Sequence, residues 1–338
     1  MVKQILSRRS KAERREERAG IGKIGDNLVL PSTLLRYGAS FDAFRSFIQR
    51  LAIRRTSTIP EYIDFALVEY LEHLWQEGEG VAVGNYTLAG LLHFVPSLRG
   101  ELHCARRILK GWHRLELPAR AAPLTMDMLL AMCGLFVLWD LPYVAYSLLI
   151  GFDLFLRTNE LAGLRFGMFT MSCDQSSCVL SLLDGTKTSS RKTASSEALV
   201  VRDPLVLHLL QRVLMPSRGL LAGDFAAGIS PSQFVRYFGK AVSFLKLNDH
   251  NVRPYSLRRG GATQHFRLHG NMADTVVRGR WASATTARIY IEDGLACLAQ
   301  QRLSRSQVVD FEILKKLFLR HCDNAEKPCG GYAKPRGG

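Results

Sequence analysis

The sequence predicts a mainly α-helical chain of two domains, the second carrying one small antiparallel sheet. Three observations predict it. From about Leu34 to Leu115, apolar residues recur at i, i+3 and i+4 spacing. Phe166 to Ser172, Cys178 to Leu183 and Ala198 to Val201 have strand character, and turn formers such as Asp174, Ser176 and Asp184-Gly185 lie between them. Between the two regions, Arg114 to Pro123, with Pro118 and Pro123, reads as a linker. A length of 338 residues, nearly half of them hydrophobic, suits two packed cores.

The elements follow in order. Residues 1–30 form a basic arm rich in Lys, Arg and Glu, where disorder or a frayed helix is expected because apolar periodicity is almost absent. Residues 31–115 form the helical domain. Phe41, Phe44, Phe47 and Ile48 share one helix face, and Ile63, Leu67, Tyr70, Leu71 and Leu74 share another, so the phenylalanines are expected in the core. Gly78 to Gly84 reads as a break before helices over Tyr86 to Phe94 and Glu101 to Trp112. Arg106, Arg107, Lys110 and Arg114 fall on or near one face of the last of these.

Residues 116–322 form the second domain. Thr125 caps one helix, and another runs over Tyr143 to Phe155. After the sheet, Pro204 to Leu214 is helical, and Ser230-Pro231 supplies an N-cap and a first-turn proline for a helix through Lys246. After Tyr290, Leu295 to Leu319 is expected to be helical. Residues 323–338, rich in Gly, Pro and Lys, are expected to be a disordered tail.

A net charge of +15 argues for a polyanionic partner, with nucleic acid foremost. Met126 to Leu156 is the most apolar region, but Asp140, Pro142 and Asp153 break it into runs shorter than the roughly 20 residues a membrane span needs. It reads as two buried helices, and no membrane is expected as partner. The charged N-terminus lacks the apolar core of a leader peptide. Seven scattered cysteines without a CxxC pair read as reduced thiols of an intracellular protein, nuclear in a eukaryotic host and otherwise cytoplasmic. His321, Cys322 and Cys329 cluster near the end, yet reduced thiols remain the preferred reading over a zinc site. No Asp/Glu cluster has metal-ligand spacing, so neither metal nor cofactor is expected.

The stretch from Arg253 to Gly294 constrains function most. It reads Arg-Pro-Tyr-Ser-Leu-Arg-Arg-Gly-Gly-Ala-Thr, and later Arg-Gly-Arg-Trp-Ala-Ser-Ala-Thr-Thr-Ala-Arg-Ile-Tyr-Ile. Ser256 stands where an N-cap would and Gly270 where a helix-ending glycine would, which predicts a helix over Ser256 to His269. Arg258 lies in its first turns, where free N–H groups and the positive dipole end favour an anion. A short helix around Met272 to Arg278, a turn at Gly279, Arg280 and Trp281, and a segment bearing Tyr290 follow. Guanidinium groups, an indole N–H and a phenol thus come from elements able to converge.

This stretch resembles the second conserved box of the tyrosine recombinases, the phage-integrase family: His-x-x-Arg, then a Gly-His or Trp variant, then Tyr nine residues on. Tyr255-Ser-Leu-Arg258 stands at His-x-x-Arg, Trp281 at the second His/Trp and Tyr290 at the nucleophile. Tyr255 departs from the family's usual His. An earlier box, Phe155-Leu-Arg157-Thr-Asn-Glu160-Leu161-Ala-Gly-Leu164, resembles the family's Leu-Arg-x-x-Glu-Leu-x-x-Leu. Between the boxes the family places a lysine on a β-hairpin, and Lys187 in a Thr-Lys-Thr setting fits, with Lys192 as its rival. The match spans Pro123 to Gly294, about half of the chain.

The resemblance implies a helical core-binding domain followed by an α+β catalytic domain, clamping double-stranded DNA. It implies strand breakage and rejoining through a 3′-phosphotyrosine on Tyr290, as in site-specific recombination or integration of a mobile element. Arg157 and Arg258 would cradle the phosphate, Trp281 would donate or pack, Tyr255 would be a hydrogen-bond donor or a packing wall, and Lys187 would protonate the leaving 5′-oxygen. It also implies a homotetramer on two DNA sites, with the helical segment after Tyr290 as candidate for contacting a neighbour. The alternatives are a type IB topoisomerase-like nicking and rejoining enzyme, and a catalytically inactive DNA-binding protein derived from a recombinase.

Overall fold

The computed structural model describes residues 10–50, 58–116, 120–182, 197–213 and 221–324. They fall into two compact units, Ile5–Ala119 and a second that begins at Arg120.

The first unit is helical: α1 (Lys11–Ile21), α2 (Pro31–Arg50), α3 (Ile59–Gln76), α4 (Val81–Phe94) and α5 (His103–Leu115). Phe44, Leu67, Leu71, Leu109 and Trp112 are buried at its centre. Phe41 and Phe47 pack against that core, Phe41 on Phe94 with ring centroids 5.0 Å apart. Of the two readings of the arm, a frayed helix or disorder, residues 11–21 take the helical one as α1. Ser10 Oγ accepts from the Glu13 N–H (3.2 Å), and Glu13 Oε2 accepts from the Ser10 N–H (2.7 Å), a reciprocal cap that starts a run of good helix formers without an apolar face. Residues 1–9 lie outside the described set.

The glycines expected to break the chain do not end at Gly84, which lies inside α4. A Cβ there would fall 2.8 Å from Leu71 Cδ2 and 2.9 Å from Leu109 Cδ2, so this glycine permits close helix packing. Helix α5 has no cap of its own. The buried Asp64 on α3 supplies one, accepting from the Cys104 N–H (2.8 Å) and the Ala105 N–H (2.9 Å). One face of α5 buries Ala105, Leu109 and Trp112, and Arg106, Arg107, Lys110 and Arg114 stay exposed.

The second unit is built on α6 (Met126–Leu138) and α7 (Pro142–Asp153). Met128 to Phe136 is buried without interruption, which is why this sequence is apolar all round. Thr125 caps α6 as expected, accepting from the Met128 N–H (3.4 Å). Three antiparallel strands follow in the order β1 (Phe169–Met171), β2 (Cys178–Leu182) and β3 (Glu197–Val201), with Leu180 opposite both Phe169 and Leu199. Phe166–Met168, expected as strand, is a 3₁₀ turn.

The remaining helices are α8 (Thr158–Ala162), α9 (Pro204–Val213), α10 (Pro231–Phe244), α11 (Ser256–His269), α12 (Met272–Gly279), α13 (Ala284–Arg288), α14 (Asp293–Gln301) and α15 (Arg305–Asn324). Ser230 and Gln233 cap α10 reciprocally, but it stops at Phe244, and Lys246 turns to a φ of +55°. The helical segment expected over Leu295 to Leu319 is divided between α14 and α15, because Ser304 and Gln307 form a fresh cap at 3.2 and 3.0 Å. Helix α15 crosses α6 at Gly134, where a Cβ would lie 2.0 Å from the Leu314 carbonyl oxygen. It buries Phe311, Leu314, Phe318 and Cys322. That inner face is filled by the chain's own core, whereas Leu295, Leu298, Val308, Val309, Ile313 and Leu319 of the same segment after Tyr290 stay exposed. Helix α15 also carries order into residues 323 and 324 of the expected tail, and residues 325–338 lie outside the described set.

Candidate active site

Helix α11 carries the site. Two glycines let it approach the core closely: a Cβ on Gly260 would fall 2.0 Å from the Leu124 carbonyl oxygen, and one on Gly261 2.0 Å from that of Phe152. Ser256, expected as N-cap, is instead inside the helix. The turn from Arg253 already bends the chain (Ser256 N–H to Arg253 C=O, 2.8 Å) and Tyr255 has helical φ and ψ of −67° and −19°. The Ser256 hydroxyl accepts from the Arg253 N–H at 3.0 Å. Gly270 ends the helix at a φ of +62°, as expected.

Arg258 is 1% exposed. Its guanidinium donates to the carbonyl oxygens of Phe155 and Gly279, the latter at 2.7 Å. Its Cζ lies 5.0 Å from the Trp281 ring and 5.3 Å from the Tyr290 ring. Burial first, then the neighbouring charges of Arg280 and Arg157, pull its pKa down to about 10, so it stays cationic at neutral pH.

Arg157 precedes α8. Its N–H donates to Glu160 Oε2 (2.9 Å) and its guanidinium to Glu160 Oε1 (2.5 Å). Glu160 also accepts from Arg280 at 2.7 Å, and Arg280 reaches Glu197 on β3 at 2.6 Å. Burial alone would raise the Glu160 carboxyl. The hydrogen bond and charge of Arg280, followed by the bonds from Arg157, hold it below the usual range.

Trp281 is buried between Phe155 (centroids 6.2 Å) and Tyr290 (4.6 Å). The half-buried Tyr290 accepts a 2.7 Å hydrogen bond from the hydroxyl of Tyr255. Burial works against ionising the Tyr290 phenol. The bond from Tyr255, then the Arg258 charge, outweigh it and place Tyr290 below the ordinary tyrosine value. Tyr255 moves the opposite way, through burial and then through its bond to Tyr290. Trp281 lies near enough to favour a Tyr290 oxyanion, but its Nε1 makes no hydrogen bond of ordinary geometry. Among the described residues, Trp281 Nε1, Arg258 Nε and Arg280 Nε are buried donors without acceptors.

The structure thus brings together Arg157, Tyr255, Arg258, Trp281 and Tyr290. Lys187 and its rival Lys192 lie outside the described residues. Three contributors were missed in the sequence. Arg280 joins Glu160 to Glu197, from a left-handed position at a φ of +56°. Thr263 Oγ1 donates to the Tyr290 carbonyl oxygen and accepts from the Glu292 N–H. Arg259, buried beside Arg258, pairs with Glu292. The paired glycines after Arg259 are the one local signal that α11 lies against backbone. Among the described residues no group of three or more His, Cys, Asp or Glu could hold a metal ion, and no helix is long and apolar enough to cross a membrane.

No protein-family model and no curated protein matches the chain. Solved structures do. The Tn1549 transposon integrase in complex with transposon right end DNA superposes with a TM-score of 0.57 and 13% identity, over 86% of this chain and 98% of that one. A lambda integrase dimer bound to a COC′ core site gives 0.52 and 14%, over 84% and 76%. The XerH site-specific recombinase bound to palindromic difH substrate, in a post-cleavage complex, gives 0.51 and 16%, over 81% and 78%. The chain has the tyrosine recombinase fold. Within that fold the two Arg-bearing boxes, separated by a hundred residues of sequence between Arg157 and Arg258, meet at one buried cluster. The tyrosine recombinase fold sets the architecture, and the chemistry rests on the side chains themselves.

Proposed function

We propose that the protein breaks and rejoins double-stranded DNA through a covalent link to Tyr290, as a site-specific recombinase or an integrase of a mobile element. The observation that carries this reading is the placing of Tyr290, its hydroxyl bonded to that of Tyr255 and its ring beside the Trp281 ring and the Arg258 guanidinium. Tyr290 Oη attacks the scissile phosphorus and forms a 3′-phosphotyrosine as the bond to the 5′-oxygen breaks. The phosphodiester energy is kept in the new link, so no metal, water or nucleotide is consumed. Arg157 and Arg258 balance the charge growing on the nonbridging oxygens, and Lys187 gives the departing 5′-oxygen its proton.

The exposed basic residues of α5 and the large positive charge suit binding to the DNA backbone. The similar structures named above are DNA complexes, and we infer that this chain also binds duplex DNA and works as a homotetramer on two DNA sites. The test is to trap the protein on suicide duplexes carrying a nick beside the cleavage site and to map the modified residue. An adduct on Tyr290 that needs two paired sites supports recombination. An adduct from single sites would point to a topoisomerase-like activity, and none at all to an inactive DNA-binding protein.

A further inference from the structure

Tyr255 stands where the recombinase pattern has a histidine, and the geometry around it does not mimic one. Its hydroxyl donates to Tyr290 Oη at 2.7 Å, with the two rings tilted by 54° and their centroids 5.9 Å apart. A histidine could donate or accept there according to its tautomer, and would gain a charge below its reference pKa of about 6.5. A phenol holds its proton until far more alkaline pH. Tyr255 holds it tighter still, first because it is half-buried and then because ionising it would set two oxyanions side by side. Across the range in which Tyr290 ionises, Tyr255 therefore remains a donor.

We propose that Tyr255 primes the nucleophile, donating its hydroxyl proton in a hydrogen bond that stabilises the Tyr290 phenolate. This rests on the strand-transfer reading given above and assigns Tyr255 a partner inside the protein instead of on the phosphate. The bond strengthens as charge arrives, since O–H···O⁻ contacts are roughly twice as strong as neutral ones. Arg258 adds its positive charge over the same ring, 5.3 Å from its centroid.

The step balances without a side-chain base. Tyr290 loses its proton to solvent before attack. A lone pair of its Oη forms the new P–O bond, and the pair of the broken P–O5′ bond goes to the leaving oxygen, which takes a proton from Lys187. In rejoining, the 5′-hydroxyl returns that proton and attacks. The Tyr290 phenolate leaves, again held by Tyr255. One donor thus serves both directions.

The experiment has two arms. In the first, the Tyr290 phenol is titrated in the DNA-free full-length protein by phenolate absorbance, as the difference between the natural chain and Tyr290→Phe. Tyr255→Phe should shift the Tyr290 titration upward by about one pH unit, the scale of one hydrogen bond to a charged group. Incorporating a fluorinated, more acidic tyrosine at position 290 should reverse the shift. In the second arm, adduct formation on suicide substrate is followed against pH. Below the plateau, Tyr255→Phe should slow it about tenfold, and the fluorinated tyrosine should restore the rate.

An unmoved titration in a Tyr255→Phe protein with a natural melting temperature overturns the proposal. A variant that does not fold is replaced by Tyr255→Leu with the fluorinated tyrosine at 290, for which the proposal requires the titration to rise relative to the fluorinated protein that keeps Tyr255. If the natural protein forms no adduct, strand transfer fails while the first arm still decides the pairing. If it forms one and the titration stays fixed, the priming role alone is lost.

Discussion

Thr263 Oγ1 donates to the carbonyl oxygen of Tyr290 at 3.2 Å and, with its lone pair, accepts from the Glu292 N–H at 3.1 Å. One buried hydroxyl thus clamps the main chain on both sides of Ile291. The Tyr290 side chain is aimed by this clamp as well as by Tyr255. Thr263→Val keeps the shape and removes both bonds. It should lower the rate of adduct formation about tenfold and leave DNA affinity unchanged, whereas Thr263→Ser should restore most of the rate. A full rate in Thr263→Val would remove Thr263 from the site.

Tyr290→Phe removes the oxygen of the proposed nucleophile and with it the acceptor of the Tyr255 hydrogen bond. The covalent adduct should vanish, and affinity for duplex DNA, measured by anisotropy, should change less than twofold, on the order of 0.4 kcal/mol. An adduct that persists would move the nucleophile to another residue.

Glu160 links Arg157 to Arg280, and its folded pKa lies below the ordinary one. The sign follows from linkage: this contribution to stability is complete above the unfolded value, about 4.3, and is lost as pH falls through the folded value. Glu160→Gln should therefore flatten the acid limb of a melting-temperature profile below about pH 4.5. At pH 7 it should cost about 3 kcal/mol, the scale for breaking one buried ion pair. A variant whose acid limb runs parallel to that of the natural protein would contradict the assignment.

If the excess of Lys and Arg faces DNA phosphates, affinity must fall steeply with salt. Contacts to roughly 6–10 phosphates would cost about 10³–10⁵ in affinity between 50 and 200 mM salt. Replacing Arg106, Arg107 and Lys110 together by Ala should reduce the slope of log affinity against log salt by about 2–3. A flat dependence in the natural protein would mean that the charge is merely solvated.

If Lys187 is the general acid proposed above, Lys187→Ala should slow cleavage of an ordinary duplex, because the leaving 5′-oxygen would then lack its proton donor. It should spare a substrate whose leaving group is a 5′-thiol, which departs without one. Equal losses on both substrates would shift the general acid to Lys192 or give Lys187 a binding role.

Much of this site was legible from the resemblance of two stretches to the tyrosine recombinase boxes. Arg157 with Glu160 three residues on, Arg258 three after Tyr255, and Tyr290 nine after Trp281 are local patterns; Trp281 and Tyr290 lie in the buried cluster, Tyr255 and Arg258 bond to it, and Arg157 bonds to Glu160 beside it. Arg280 was not legible, because what defines it is a pair of carboxylates, Glu160 and Glu197, that only the folded chain brings near. The partner of Tyr255 was hidden for the same reason, since 35 residues separate it from Tyr290. Helix ends were misjudged where tertiary contacts decide them. Gly84 reads as a breaker until Leu71 and Leu109 fill the space beside it, and Ser256 reads as the cap until the turn at Arg253 moves the capping position to Tyr255 and leaves Ser256 as the first helical residue.

The two hydrogen bonds from Arg258 to Phe155 and Gly279 give that arginine a second kind of importance. It is a tie-rod between the segment just before Arg157 and the turn just before Trp281, as well as a source of charge. Replacing it would leave two inward-facing carbonyls without donors and loosen both ends of the pocket at once. An inactive control built by changing Arg258 would therefore confuse loss of chemistry with loss of shape. A lineage that gave up strand transfer but kept its hold on DNA could discard the Tyr290 hydroxyl freely, and would be expected to keep this arginine long afterwards.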